Sequence, residues 1–152
     1  MDKSTISHYG SALFDALTSR QTIAPLTEQA PDITIEDAYQ ISLAMLERRL
    51  ATGEQVVGKK IGVTSQVVMD MLNVRQPDFG YLTDRMMYAT ASEVPVSSEM
   101  IAPRAEGEIA FVLKQDLDGP GITNADVIRA TEFVMPCFEI VDSRITDWKI
   151  KI

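Results

Sequence analysis

Two stretches late in the chain, AEGEIAFVLKQDL and FVMPCFEIVDSRI, read as its strongest β-strands, and both carry glutamate among apolar neighbours. Side chains of a strand alternate, so residues two apart share a face. Glu106 and Glu108 therefore point the same way, with Cα atoms about 6.5 Å apart. Ala110 and Val112 extend that face, while Ala105, Gly107, Ile109 and Phe111 form the other. Gly107, between the two acids, leaves room for close backbone approach. The apolar flanks predict a strand at least half-buried, and Glu139 stands in an equally apolar strand. Buried carboxylates are costly unless paired or bound to a metal. Three of them converging from two strands make a site for a hard divalent cation such as Mg²⁺ or Mn²⁺. Two plainer readings stand beside that one. The acids can form a solvated face on an edge strand, or be neutralised by Arg104 and Arg144, which lie near both strands.

The rest of the chain sorts into helices early and strands late. Ile6, Tyr9, Leu13 and Leu17 make an apolar stripe that predicts a helix over 3–20. APLTEQAPDIT, with two prolines, reads as an extended connector. Thr34 is an N-cap with Asp37 as its capping-box partner, opening a helix that turns Ala38, Ile41, Met45 and Leu46 inward and stops at Gly53. VVGKKIGVT reads as a strand and turn, SQVVMDMLNV as a short helix, and RQPDFGYLTDRMMY as a loop leading into a strand. ASEVPVSSEMIAP is irregular, DGPGIT is a turn, and Thr123 caps a helix over NADVIRATE. The closing DWKIKI alternates like the start of a further strand. With 152 residues and no repeat or linker, these elements predict one α+β domain. Its helical part covers about 1–55, with the start of a β-rich core over about 56–152.

Charge and cysteine usage narrow the function classes. A net charge of −8 offers no electrostatic footprint for nucleic acid or an anionic membrane. No stretch approaches the ~20 apolar residues of a membrane span, and the N-terminus lacks a signal-peptide layout. One cysteine, Cys137, permits neither an intrachain disulfide nor a cysteine-based zinc site, which fits a reducing, cytoplasmic setting. It reads as a small buried hydrophobe, and His8 as a surface or packing residue. Phosphate-binding loops, dinucleotide fingerprints and a serine nucleophile elbow are all missing. Lys59 and Lys60 must point to opposite faces of an extended segment, so one turns inward. Lys60 is the candidate acid–base or anchoring group, against the plainer reading of a surface lysine. Asp78, beside Gly80, is either a turn former or a catalytic carboxylate.

Taken together, GKKIGVTS, QPDFGYL, RAEGEIAFVL, TNADVIRATE and PCFEIVDSRITDWKIKI closely resemble the 2-hydroxypenta-2,4-dienoate hydratases of aromatic meta-cleavage pathways. These group with the 4-oxalocrotonate decarboxylases in the fumarylacetoacetate hydrolase superfamily. The resemblance runs along essentially the whole chain. It implies N-terminal helices followed by a mixed β-sheet core of the superfamily type, which this chain would leave incomplete at its C-terminus. Glu106, Glu108 and Glu139 match the family's metal ligands for Mg²⁺ or Mn²⁺. Lys60 matches its active-site lysine, and Asp78 its loop acid. The implied reaction adds water to 2-hydroxypenta-2,4-dienoate, giving 4-hydroxy-2-oxopentanoate. The alternatives are a decarboxylase with the same metal site, or a non-enzyme, either an inactive fragment or an interaction module. The resemblance further implies a homo-oligomer, with the decarboxylase or a downstream aldolase as partner. Apolar strands that a short chain leaves uncovered predict either further chain beyond Ile152 or self-association.

Overall fold

The computed structural model describes residues 1–150, which fall into two compact units: 1–101 together with 143–150, and 102–142. Lys151 and Ile152, the end of the expected last strand, lie outside the described residues.

The first unit is built on two long helices, α1 (Lys3–Ser19) and α3 (Ile35–Ala51). Asp2 caps α1 by accepting from the Thr5 backbone N–H. Thr34 and Asp37 cap α3 reciprocally, so the first orphan N–H groups of the helix are satisfied. The helices meet at Gly10, which is buried against the backbone and side chain of Ala44. Tyr9, Ala16 and Ile41 form the buried centre of this layer. Ala38, expected to point inward, is exposed, and Asp37 and Tyr39 are the half-buried residues of that turn. Helical spacing alone cannot set where the buried arc of a helix begins; its partner helix does.

The expected connector between the helices holds one short helical turn, α2 (Leu26–Gln29), closed by the Ala30 N–H donating to the Leu26 carbonyl. Next come β1 (Val56–Gly62), α4 (Gln66–Leu72) capped by Ser65, β2 (Asp78–Thr83) and the single turn α5 (Val96–Glu99). Strands β1 and β2 pair antiparallel, with Lys60 opposite Gly80 and Gly62 opposite Asp78. A buried polar network ties this hairpin to the end of α3. Arg49 contacts Glu54 at 2.8 Å and donates to the Thr83 hydroxyl at 3.2 Å, and that hydroxyl donates to Glu54 at 2.6 Å. The charge of Glu54 is thereby matched and hydrogen-bonded, as a buried carboxylate requires.

The expected closing strand is instead a 3₁₀ turn over Thr146–Trp148, preceded by one parallel bridge between Ile23 and Ile145.

The second unit is a long antiparallel ribbon, β3 (Arg104–Leu113) and β4 (Thr131–Val141), with α6 (Asn124–Ala130) in the connection between them. Thr123 and Asp126 form a capping box at the start of α6. Lys114 N–H donates to the Ala130 carbonyl where the strands close. At the other end the Ala102 N–H donates to Asp142 at 2.6 Å. The half-buried β3 expected from its apolar flanks is not observed. Ile109 is 59% and Phe111 58% exposed, as is Phe138 opposite Gly107 at 80%. A two-stranded ribbon has no second layer of its own, so its apolar side stays open to solvent. Among the described residues no helix is long and apolar enough to cross a membrane.

Candidate metal centre and lysine–aspartate pair

In the second unit, strand alternation places Glu106 and Glu108 on one face of β3, and the register of β4 adds the third acid. Glu139 stands directly across from Glu106, and Cys137 across from Glu108. One carboxylate oxygen from each of Glu106, Glu108 and Glu139 lies within 4.8 Å of the others. Two oxygens bound to one cation at ~2.0–2.6 Å lie at most about 4.0–5.2 Å apart, so 4.8 Å is the outer end of that range and small rotations of the side chains would close the set around a shared ion. Glu106 and Glu108 are exposed and Glu139 is half-buried, so the acids open to solvent rather than lying in a closed core. Exposure lowers the cost of holding three like charges together, because water screens them. Gly107 separates the acids without crowding: a Cβ there would meet nothing within 4 Å. Cys137 is half-buried on the acidic face and makes no disulfide.

In the first unit, Lys60 and Asp78 come together on one face of the β1–β2 hairpin. Lys60 and Gly62 share that face by alternation, and register sets Asp78 opposite Gly62 and Gly80 opposite Lys60. The Lys60 stem runs over Gly80, where a Cβ would stand 3.3 Å from its Cγ and 3.5 Å from its Cδ. Its ammonium ends beside Gly62, 2.9 Å from where a Cβ would be, and the Asp78 Oδ1 crowds the same point more closely still. That Oδ1 is buried and has no hydrogen-bond partner among the described residues. A buried acceptor left unmatched costs about 1–3 kcal/mol, so the arrangement suits a group that meets a donor during function. Lys59 turns the other way, exposed, with its ammonium 5.6 Å from the centre of the Tyr81 ring. Phe79 shares that outer face and stacks on Tyr39 with ring centres 4.7 Å apart.

Sequence reasoning singled out all five charged residues, with Gly107 between two of the acids and Gly80 beside Asp78, but gave Gly62 no role. Gly62 follows Lys60 by two, and Gly80 follows Asp78 by two. Those offsets acquire meaning only once the register sets Gly62 against Asp78.

One unit of the chain carries a helical layer and a hairpin and the other a ribbon with a carboxylate cluster, and the known proteins that the chain resembles are hydratases and a decarboxylase. No family model matches the chain. A 2-hydroxypent-2,4-dienoate hydratase from Pseudomonas putida is 64% identical over 152 residues, all of this chain and 68% of the relative. A 2-hydroxyhexa-2,4-dienoate hydratase from Comamonas testosteroni is 62% identical, over 99% of this chain and 58% of the relative. The solved 4-oxalocrotonate decarboxylase from Pseudomonas putida G7, complexed with magnesium and adipate, superposes with a TM-score of 0.86 at 31% identity. That match covers 98% of this chain and 56% of the decarboxylase. A second structure of the decarboxylase, complexed with calcium and acetate, gives a TM-score of 0.89. The chain belongs to the 2-hydroxypentadienoate hydratase family. It spans between about half and two thirds of the length of the curated relatives it matches, from 52% to 68%.

Proposed function

We propose that this chain carries the metal-binding and proton-handling residues of a hydratase that converts 2-hydroxypenta-2,4-dienoate to 4-hydroxy-2-oxopentanoate. The observation that carries the reading is the meeting of Glu106, Glu108 and Glu139 within 4.8 Å, in a chain 64% identical to a hydratase of that substrate class. Three carboxylates are a hard, anionic donor set, which fits Mg²⁺ or Mn²⁺ and disfavours softer ions. Such a cation, when bound, supplies a fixed positive charge for the carboxylate and 2-oxygen of the substrate. Lys60 and Asp78 take the proton-handling and anchoring roles. The ammonium donates to anionic oxygen, and the unmatched Asp78 Oδ1 accepts a hydroxyl or water proton. The hydratase reading is preferred over the decarboxylase because identity to the named hydratases is 64% and 62%, against 31% to the decarboxylase. Absence of a long apolar helix among the described residues, with a single cysteine, supports a cytoplasmic setting for the enzyme, which we read as a homo-oligomer.

The test is direct. The protein is mixed with 2-hydroxypenta-2,4-dienoate and Mn²⁺ or Mg²⁺, and loss of dienol absorbance is followed. Metal-dependent loss with formation of 4-hydroxy-2-oxopentanoate is the expected result. Turnover of an oxalocrotonate with release of CO₂, and none of the dienoate, would give the decarboxylase reading instead. A rate unchanged by chelator would remove the metal from the mechanism.

A further inference from the structure

We infer that Gly62 is a positioning residue, whose missing side chain leaves the space into which the Lys60 ammonium and the Asp78 carboxylate both turn; this rests on the functional reading above for its catalytic consequence. The geometry is specific to this glycine. A Cβ at position 62 would stand 2.9 Å from the Lys60 Nζ and inside contact distance of the Asp78 Oδ1. Real Cβ atoms keep about 3.5–4.0 Å from their neighbours, so both polar atoms have to move. The backbone does not: no main-chain atom is among the three atoms nearest to that point. Its φ also lies outside the left-handed range, so alanine meets no backbone strain there. A methyl at position 62 therefore displaces the two functional groups while the strand that carries them stays in place.

Gly80 does the same for the stem. A Cβ there would press on the Lys60 Cγ at 3.3 Å, tight enough to move the methylenes by a few tenths of an ångström. Gly58 lies two residues before Lys60 in the same strand and is the contrast. A Cβ there would meet only the Leu82 side chain, at 3.8 Å and beyond, which is ordinary contact. The three glycines thus differ in what they make room for: the charged tips, the lysine stem, and nothing that reacts.

The experiment compares Gly62→Ala, Gly80→Ala and Gly58→Ala with the parent. Turnover of 2-hydroxypenta-2,4-dienoate with Mn²⁺ gives kcat and KM, and thermal melts report folding. Gly62→Ala is expected to lower kcat about 100-fold, the scale on which ångström displacements of reacting groups are felt. Gly80→Ala is expected to lower it less, and Gly58→Ala to leave it within twofold. Tm should stay within about 4 °C of the parent throughout. A second readout is independent of activity. In the parent, Lys60→Met should move the ¹³C carboxyl resonance of Asp78; in the Gly62→Ala background it should not. A Gly62→Ala protein with parental kcat, or an Asp78 resonance that senses Lys60 equally in both backgrounds, overturns the inference. Should the parent fail to consume the dienoate, the functional reading falls, and the carboxyl resonance alone decides whether Gly62 positions the two groups.

Discussion

Replacing Gly10 by alanine sets two rules of helix stability against each other, and the structure says which wins. In an exposed helix interior the change stabilises by about 1 kcal/mol, because alanine is the better helix former. Gly10 is buried where α1 crosses α3. An alanine Cβ there would lie 2.6 Å from the Ala44 Cβ and 3.0 Å from both the Ala44 carbonyl carbon and the Met45 nitrogen. Ordinary carbon contacts are about 3.5–4.0 Å, so the methyl is short of room by roughly 1 Å against the side chain and about half that against the backbone. Two of the three blocking atoms belong to the α3 main chain, which cannot rotate away as a side chain tip would. The helices must separate, and overpacking of this kind costs typically 1–3 kcal/mol. Less the propensity gain of about 1 kcal/mol, Gly10→Ala should destabilise by up to about 2 kcal/mol. In a protein of this size that lowers Tm by up to roughly 8 °C. Circular dichroism at 222 nm on heating, with urea titration for the free energy, reads the change. Ala44→Gly in the same molecule removes the closest clash but not the backbone ones. The double variant should therefore be more stable than the sum of the singles, and coupling of about 0.5 kcal/mol or more is expected for touching residues. An increase in Tm for Gly10→Ala would mean that the helices do not touch at this point.

The site and a helix cap yield further expectations. Glu108→Gln keeps the volume and removes a charge, so Mn²⁺ affinity measured by electron paramagnetic resonance should fall at least about tenfold. The thermal melt should scarcely move; unchanged Mn²⁺ affinity would remove Glu108 from the ligand set. Lys60→Ala should lower kcat by about 100-fold or more, whereas Lys59→Ala, on the Tyr81 side of the hairpin, should change it little. The reverse ranking would mean that β1 presents its other face. Asp2 is held down to about 2 by hydrogen bonds from the Thr5 backbone N–H and then from the Ser4 and Thr5 hydroxyls. Its folded pKa lies below the ordinary 3.8, so its contribution is present above about pH 4 and lost as pH falls towards 2. Asp2→Ala should lower Tm at pH 6, and the gap to the parent should close by pH 2.

Local sequence carried the parts of this molecule that depend on neighbouring residues. A period of two assigned Glu106 and Glu108 to one face, and Lys59 and Lys60 to opposite faces, before any tertiary contact was known. Thr34 with Asp37, and Thr123, marked helix starts, because a cap is a contact across three residues. The same local logic failed where a contact spans the chain. Ala38 sits on the expected stripe but outside the arc that α1 covers, and the apolar sequence of β3 did not mean burial, since burial needs a second layer. Register is likewise non-local. That Glu139 meets Glu106 rather than a neighbour two residues away, and that Asp78 meets Gly62 beside Lys60, follows from how antiparallel strands align. The Arg49–Glu54–Thr83 network left no trace in the sequence pattern, because Thr83 stands 29 residues from Glu54. Composition and spacing named the acids and the lysine; only pairing across the ribbon gathered the three glutamates, and only pairing across the hairpin turned Lys60 and Asp78 towards the same glycine, because strand alternation sets a side chain's face but not its partner.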